Sequence, residues 1–367
     1  MNRNLIFFLP TFKVGGAGNS IFRLCKKFDL NKDNLFIISI GKNEYKKKFL
    51  EHSKKINIIE VKKKNTISSF FFLKKKIFNI TRNKKKTIFI SNQHYANVIS
   101  ILALRKIKDL KIVLVDRIDI SELKKFYYLK NYIKNIVVFI LVKFLYKYAD
   151  AIISNSKSAK IDIEKITKSK VINISPPSLL RLNKKKSNRK LKKKIHILTV
   201  GSLVKGKGVD TMIRSLSLLN SQNFIFKVAG NGEEKNSLQK LIKQLKLTDK
   251  IKLLGWTNNI EKVYINSDLF IHASHQEGFP NSIVEAINFN LPVIASNCKG
   301  GTSEILSNGK GGDLFPVNDH KILAKKINNF MYNQDNLKQK LKFARKHINK
   351  YTVENNYKKF IKVFNVV

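Results

Sequence analysis

Short apolar runs alternate with helical stretches along the whole chain of 367 residues, and no other feature constrains the fold as strongly. The runs are rich in Ile, Val, Leu and Phe. They occur at 5–9, 35–40, 56–61, 87–91, 111–115, 151–154 and 171–174, and again at 195–200, 224–229, 251–254, 269–271, 292–295 and 312–315. Such alternation is typical of parallel sheets built from βαβ units. The sequence therefore predicts an α/β protein with two doubly wound sheets.

A polar, basic segment separates the two series of runs. Residues 181–194 (RLNKKKSNRKLKKK) have little apolar content, which is typical of a linker. The chain is also long enough for two domains that each bury their own core. We expect a first domain at 1–180, a second at 195–350 and a C-terminal helix within 351–367.

The net charge of +47 is extreme and comes mainly from lysine, in runs such as 46–48, 62–64, 74–76, 84–86 and 184–186. A field of this sign favours anionic partners, above all an acidic membrane surface. Nucleic acid is the weaker partner, because the runs contain neither interleaved aromatic residues nor a binding motif. A compositional bias is an equal alternative, since the chain is also rich in Ile and Asn.

Two further features concern the cellular compartment. The cysteines Cys25 and Cys298 allow one bridge at most, and we expect two reduced thiols. The apolar run at 5–9 ends at Pro10 without a small-residue cleavage site, which favours a first strand over a signal peptide.

The longest apolar run, 136–145, is interrupted by lysine and too short to span a bilayer. It predicts a mostly buried helix, with interfacial insertion as the alternative.

Two carboxylates, Glu277 and Glu285, are separated by eight positions and follow the apolar run 269–271. A helical pattern begins at about 282, so the first carboxylate lies on a loop and the second about one turn into a helix. Ligands bind at this edge of open α/β sheets, where a helix N-terminus can hold a phosphate. A carboxylate can also accept two hydrogen bonds from a sugar diol. The spacing thus predicts a nucleotide-sugar site, although an ordinary capped helix with two surface carboxylates fits it equally.

This segment resembles the signature of the retaining glycosyltransferases of the GT-B fold, in particular family four, the glycosyl transferases group 1. The resemblance covers nearly the whole chain and is strong from about 196 to 320. It implies two Rossmann-like domains facing a central cleft, the first for the acceptor and the second for the nucleotide sugar. The last helix would cross back to the first domain. It also implies that Glu277 contacts the transferred sugar and that Glu285 holds the ribose hydroxyls.

Other donor-site residues follow from the same resemblance. Segment 200–208 is similar to a loop whose Arg and Lys bind the donor diphosphate. Lys207 falls on the Lys position and Ser202 on the Arg position, with Lys205 as an alternative cation. Segments 253–256 and 300–304 also match family turns, as does the glycine pair after the first strand. The expected donor-binding residues are Gly15, Gly16, Ser202, Lys207, Gly255, Gly278, Phe279, Pro280, Asn281 and Glu285.

The expected catalytic residues are His94, Lys207 and Glu277. Relatives often carry a histidine at the position of His94, near the sugar or the acceptor, although a lone histidine is more often a polar loop residue. Arg117 occupies a position where relatives have an arginine beside the acceptor. The sequence contains no Asp-x-Asp and no His/Cys ligand cluster, so we expect neither metal nor cofactor.

The resemblance implies a retaining glycosyltransferase that moves a hexose or N-acetylhexosamine from a nucleotide sugar, UDP-linked by preference. The acceptor would be a glycan or lipid-linked, in surface polysaccharide or lipopolysaccharide synthesis, at the inner face of the cytoplasmic membrane. The family account is front-face attack with help from the leaving phosphate. The alternatives are an epimerase of the same fold, a non-catalytic nucleotide-sugar-binding protein and a basic nucleic-acid-binding protein.

Overall fold

The computed structural model describes residues 3–13, 15–63, 65–124, 129–183, 194–221, 223–257 and 259–367. The chain divides into two compact units. Unit 1 contains Met1–Leu180 and Val353–Val367, and unit 2 contains Arg181–Thr352. Most of the segment predicted as a linker, residues 184–193, lies outside the described residues.

Unit 1 contains a parallel seven-stranded sheet in the order β3-β2-β1-β4-β5-β6-β7. In the described residues, six helices connect these strands in turn. The strands are β1 (Arg3–Phe8), β2 (Asp33–Ile40), β3 (Asn57–Val61), β4 (Lys86–Asn92), β5 (Leu110–Asp116), β6 (Ala151–Ser154) and β7 (Ile172–Asn173). The helices are α1 (Gly16–Cys25), α2 (Lys46–His52), α3 (Phe70–Thr81), α4 (His94–Leu104), α5 (Leu129–Leu145) and α6 (Lys157–Thr167).

Unit 2 contains a parallel six-stranded sheet in the order β10-β9-β8-β11-β12-β13. Its strands are β8 (Ile195–Val200), β9 (Phe224–Ala229), β10 (Ile251–Gly255), β11 (Leu269–His272), β12 (Val293–Ser296) and β13 (Asp313–Phe315). Its helices are α7 (Val209–Ser217), α8 (Lys235–Gln244), α9 (Ile260–Ile265), α10 (Asn281–Asn288), α11 (Thr302–Ile305), α12 (His320–Tyr332) and α13 (Asp335–His347). Every one of the thirteen predicted runs overlaps a strand, so the predicted α/β class is confirmed.

Alternate residues of the unit 1 strands face two different helix layers, because side chains alternate along a strand. Ile6 and Phe8 of β1 pack in one core with residues of α3, α4 and α5. Leu5 and Phe7 pack in the other core with residues of α1, α2 and the final helix, α14 (Val353–Val366). Unit 1 is therefore a three-layer sandwich, and α14 completes the second layer.

Helix α5 differs from its prediction. Val138 and Val142 are buried against the sheet, but Val137 and Ile140 on the other side are 51% and 47% exposed. The prediction of a mostly buried helix is therefore wrong for about half of the surface of α5. A continuous apolar run gives no periodicity from which to predict how many of its faces the fold will cover. In the described parts of the chain, no helix has both the length and the apolar character needed to cross a bilayer.

Strand β8 occupies a special place in unit 2. It lies between β9 on one side and β11 on the other, so the chain winds outward from it in both directions. The loops after β8 and β11 therefore meet at the carboxyl edge of the sheet, at the point where the strand order reverses. Ligands of open α/β sheets bind at such switch points.

Candidate active site

The loop after β8 (residues 201–208) and the loop after β11 (residues 273–280) are joined backbone to backbone. The amide of His275 donates a hydrogen bond to the carbonyl of Gly206, at 2.9 Å. Gly208 has a φ of +60°, and a Cβ there would overlap the carbonyl oxygen of Ala273. Only glycine adopts this conformation at so close an approach without strain. The close approach brings Lys207 to the second loop.

Three side chains converge on one oxygen of Glu277. Its Oε1 accepts a hydrogen bond from Ser274 Oγ at 2.8 Å, lies 3.2 Å from His272 Nε2 and is paired with the ammonium of Lys207. Glu277 is only 9% exposed, whereas the Lys207 side chain is 29% exposed. No group in the described part of the chain hydrogen-bonds to the second oxygen, Oε2. The carboxylate is therefore fixed through one oxygen, and the other can accept bonds from a ligand.

The charge state of Glu277 follows from these contacts. Burial raises the pKa of the carboxyl, but the Lys207 ammonium and the His272 imidazole lower it by more. The net result is a pKa well below the usual range of a glutamate. Glu277 is ionised at neutral pH, so it can accept hydrogen bonds and offset positive charge but cannot act as a general acid.

A small, partly open pocket lies beside this pair. It contains Ser202 and Lys207, two of the residues predicted to bind the donor. The full lining is Thr199, Val200, Gly201, Ser202, Lys207, Val209, Met212, Val228, His272 and Ser274. The pocket lies at the carboxyl ends of β8 and β11, where the strand order predicts a ligand.

The backbone of the Glu277 turn is held by residues 299–301. The Glu277 amide donates to the Lys299 carbonyl and the Gly301 amide to the Gly278 carbonyl, each at 3.1 Å. Gly300 has a φ of +116°, and a Cβ there would overlap the Glu277 carbonyl oxygen. The glycine pair at 300–301 therefore serves the geometry of the turn that carries Glu277.

Gly300→Ala is expected to destabilise the protein by about 2–4 kcal/mol, because it combines a strained backbone with a backbone clash. The matched control is Gly206→Ala, where a Cβ would have no atom within 4 Å. Denaturant unfolding of both variants measures the difference. Equal stability of the two would show that the close packing at Gly300 does not exist in solution.

The remaining residues of the turn have distinct environments. The Phe279 ring packs edge-to-face on Tyr351, with centroids 5.2 Å apart, and only 9% of Phe279 is exposed. Its side chain is therefore part of the core. Pro280 is the N-cap of α10 and Asn281 its first residue, so the chain enters the helix immediately after the turn.

Glu285 lies on α10 and belongs to a second cluster. Its Oε2 accepts a hydrogen bond from the hydroxyl of the buried Tyr264, at 3.2 Å. The same hydroxyl lies 3.4 Å from the carbonyl of Ser282, one turn earlier in the helix. Tyr264 thus orients the carboxylate relative to the start of α10.

Segment 253–256, which contains the predicted donor-binding residue Gly255, is fixed by a close backbone contact. Gly255 has a φ of +66°, and its carbonyl accepts a hydrogen bond from the Gly230 amide at 2.8 Å. Trp256 follows it and is 62% exposed. The backbone is therefore fixed at Gly255, while the neighbouring indole extends into solvent.

Two predicted residues of unit 1, Gly15 and Gly16, lie at the junction of β1 and α1. Gly15 is the N-cap of α1 and Gly16 its first residue. The hydroxyl of Tyr45 lies 3.3 Å from both the amide nitrogen and the carbonyl oxygen of Gly15. The junction lies at the carboxyl end of β1, beside the strand-order reversal between β1 and β4.

His94 is the first residue of α4 and is buried, with 3% exposed. Its Nδ1 lies 2.6 Å from Asp116 Oδ1, which also accepts hydrogen bonds from Asn97 and Tyr146. Burial lowers the pKa of His94, but Asp116 raises it by more, and the net pKa lies above the usual value. His94 is thus part of a buried polar network rather than a loose loop residue.

Arg117 follows β5 and lines a cavity at the carboxyl edge of the unit 1 sheet. Its guanidinium donates to Asn92 Oδ1 at 2.8 Å, and burial lowers its pKa to about 10. Its Nε is buried and has no hydrogen-bond partner among the described residues. A guanidinium so placed can bind an anion.

Several residues of these clusters were not predicted from the sequence. His272 and Ser274 contact Glu277, Tyr264 contacts Glu285, and Asp116 contacts His94. The available signal was a polar residue at the carboxyl end of an apolar strand, as His272 is for β11. Across the described ranges, no group of three His, Cys, Asp or Glu side chains is arranged to hold a metal ion.

Comparison with known proteins identifies the family. The profile described as "Glycosyl transferases group 1" matches residues 181–347. An uncharacterized glycosyltransferase of Methanocaldococcus jannaschii is 33% identical over 279 residues, which is 69% of this chain and 66% of the relative. The chain belongs to the glycosyl transferases group 1 family. The resemblance stated from the sequence is confirmed.

Two more similarities place this glycosyltransferase among its relatives. A Campylobacter jejuni protein is 24% identical over 350 residues, covering 91% of this chain and 90% of its own. Its name is GalNAc-alpha-(1->4)-GalNAc-alpha-(1->3)-diNAcBac-PP-undecaprenol alpha-1,4-N-acetyl-D-galactosaminyltransferase. The structure of Anabaena HepE in complex with UDP-glucose is similar with a TM-score of 0.81 at 18% identity, over 99% of this chain and 100% of HepE. The GT-B fold predicted from the sequence is thereby confirmed.

Proposed function

We propose that this glycosyltransferase moves a hexose or N-acetylhexosamine from a UDP-sugar to a glycan or lipid-linked acceptor, with retention at the anomeric carbon. One observation carries the proposal. Lys207, His272 and Ser274 converge on a single oxygen of Glu277, beside a pocket at the switch point of the unit 2 sheet. Retention is taken from the family.

Lys207 is suited to stabilise the leaving group. An ammonium carries three N–H donors, so Lys207 can hold Glu277 and a diphosphate oxygen at the same time. Negative charge grows on the nucleoside diphosphate as its bond to the sugar breaks. A cation already fixed by Glu277 stabilises that charge without reorganising.

Glu277 is suited to hold the sugar. Its Oε2 can accept a hydrogen bond from a sugar hydroxyl while Oε1 remains bound to the protein. The depressed pKa makes the carboxylate a weak base. The acceptor hydroxyl would therefore lose its proton to the leaving phosphate, in agreement with front-face attack, and not to Glu277.

The position of Glu285 supports a nucleotide site beside α10. A carboxylate on the first turns of α10 can hold the ribose diol, with Tyr264 fixing its orientation. The UDP-glucose complex of HepE favours UDP as the carrier. Backbone groups at Gly255 and at the glycine pair Gly15 and Gly16 are proposed to contact the donor as well.

Glu285→Gln is expected to weaken UDP binding by about ten- to a hundredfold, because it removes one charged hydrogen bond. The matched control is Glu261→Gln, the same change at an exposed residue of α9. Calorimetric titration with UDP measures both affinities. Unchanged affinity in Glu285→Gln would remove this residue from the site.

The acceptor is proposed to carry a lipid-linked diphosphate, in surface polysaccharide or lipopolysaccharide synthesis. The Campylobacter jejuni relative supports this class, because its name contains an undecaprenol-linked diphosphate. Arg117 in unit 1 supplies a cation for such a group, and His94 is the candidate contact to the reacting sugar. Such an acceptor would place the enzyme at the inner face of the cytoplasmic membrane.

A thermal-shift panel of nucleotide sugars followed by a turnover assay tests the proposal. A bound donor raises the melting temperature in proportion to ln(1+[L]/Kd). We expect a shift with a UDP-sugar and release of UDP when a lipid-linked acceptor is added. Donor conversion without acceptor would indicate an epimerase, and binding without turnover a non-catalytic protein. Salt-dependent DNA binding without any nucleotide-sugar shift would indicate a nucleic-acid-binding protein.

A further inference from the structure

Three neighbouring helices of unit 1 contain no acidic residue. Helices α3, α4 and α5 cover the same face of the seven-stranded sheet, and neither Asp nor Glu occurs in any of them. Helix α3 carries the exposed run Lys74-Lys75-Lys76. The lysines of α3 and α5 are therefore not offset by acidic residues on these three helices, although α6 in the same layer carries Asp162 and Glu164.

An apolar stripe runs along the solvent side of α5. Ile133, Val137, Ile140 and Phe144 are 59%, 51%, 47% and 57% exposed. Their spacing of four, three and four residues aligns them in one row on a helix. The opposite side of the same helix is buried in the core through Val138 and Val142. The α5 stripe is thus a contiguous apolar surface that core packing does not use, which marks an interaction site.

Lysines flank the α5 stripe on both sides. Lys134 lies about a quarter turn from the stripe in one direction and Lys143 about a quarter turn in the other, as the helical repeat requires. Both are exposed, and so is Lys147 just beyond the helix. An apolar row between basic residues is typical of helices that lie in the interface of an anionic bilayer.

The lysine runs by themselves do not select a face. Lys46-Lys47-Lys48 belong to α2, whose Phe49 packs in the core opposite to that of α3. Lys74-Lys75-Lys76 belong to the layer that contains the α5 stripe. The apolar side chains, and not the charge, distinguish one side of unit 1 from the other.

We propose that the α5 stripe docks unit 1 onto an anionic phospholipid surface. The four apolar side chains enter the boundary between headgroups and acyl chains, and Lys134, Lys143 and Lys147 bind lipid phosphates. Phe71 and Phe78 of α3, which are 79% and 51% exposed, are further exposed apolar side chains of the same layer. This inference deepens the proposed membrane location and is independent of the reaction.

Vesicle co-sedimentation of the full chain tests the proposal. The lipid is either phosphatidylcholine alone or an equimolar mixture with phosphatidylglycerol. We expect binding only to the mixture, and weaker binding as salt is added. The triple variant Val137→Gln, Ile140→Gln, Phe144→Gln should bind at least about a hundredfold more weakly, since it removes the inserted apolar area. All three positions are exposed, so the fold should persist.

Matched variants distinguish the contribution of the α5 stripe to vesicle binding from that of the overall positive charge. Leu50→Gln makes the same kind of change on α2, in the opposite layer, and should leave binding unchanged. The pair Lys134→Gln and Lys143→Gln should lower binding roughly tenfold. The pair Lys47→Gln and Lys48→Gln, with the same net charge, should change it less than twofold. Equal losses of vesicle binding in the two lysine pairs would overturn the proposal. They would show that the positive charge acts regardless of its position and reflects composition alone.

Two further results would also overturn it. One is full vesicle binding by the triple variant. The other is a wild-type dimer that the triple variant converts to monomer, which light scattering would detect and which would make the stripe an interface between copies. Donor binding is measured separately by thermal shift, so a failure of the proposed reaction and a failure of docking are distinguishable.

Discussion

Lys207→Ala is expected to lower turnover by about a hundredfold to a thousandfold, while donor affinity falls much less. The reason is that negative charge on the diphosphate is greatest as the sugar leaves, and the ammonium acts mainly at that moment. Steady-state kinetics and calorimetric titration with the donor separate the two effects. The control is Lys240→Ala, which removes an exposed cation of α8 to which no donor contact is assigned.

The same variant should lose about 1–2 kcal/mol of stability at neutral pH, because the buried Glu277 keeps its charge but loses its cation. The sign of the pH dependence follows from the low folded pKa of Glu277. The pair stabilises the fold above the ordinary glutamate pKa of about 4.3, and this contribution is lost as the pH falls through the lower folded pKa. The stability difference from wild type should therefore shrink in acid. A turnover loss equal to that of Lys240→Ala would contradict the role of Lys207.

Glu277→Gln is expected to reduce turnover by about a hundredfold or more, and to lose the stability that the charged Lys207–Glu277 pair contributes at neutral pH. Glutamine keeps the size of the side chain and can still accept the Ser274 hydrogen bond, but it removes the charge that holds Lys207 and binds the sugar. Kinetics with donor and acceptor measure the effect. Glu261→Gln serves as the control, because it changes an exposed carboxylate of α9 to which no sugar contact is assigned.

A double-mutant cycle sharpens this test. If Lys207 and Glu277 act as one unit, the double variant Lys207→Ala, Glu277→Gln should be hardly slower than the slower single variant. Strictly additive losses would show that the two side chains act independently. Wild-type turnover in Glu277→Gln would exclude the carboxylate from the reaction.

The strands could be predicted from the sequence because each one is a short apolar run bounded by polar residues. In a parallel sheet covered by helices on both faces, central strands are buried on both sides, so burial appears as continuous hydrophobicity. The same signal fails for helices, as α5 shows. The apolar run at 136–145 contains both the face that packs on the sheet and the face that remains exposed, and nothing local distinguishes Val138 from Val137.

The candidate site shows a similar division. The motif suggested Glu277, Glu285 and Lys207 because the spacing of charged residues around glycine turns is local information. The contacts of His272 and Ser274 with Glu277 could not be predicted in the same way. Whether a polar residue near a strand end points at a carboxylate depends on side-chain directions that only the packed loops define. The same holds for Tyr264 beneath Glu285 and for Asp116 beside His94.

By itself, then, the sequence determined the two parallel sheets and the residue types at their carboxyl edges, because hydrophobic periodicity and glycine turns act over a few neighbouring residues. The tertiary structure alone decided which oxygen of Glu277 the protein binds, which cation offsets its burial and which side of α5 meets the solvent. These properties depend on residues far apart in the chain, such as Lys207 and Glu277, and they exist only when folding brings the loops after β8 and β11 together.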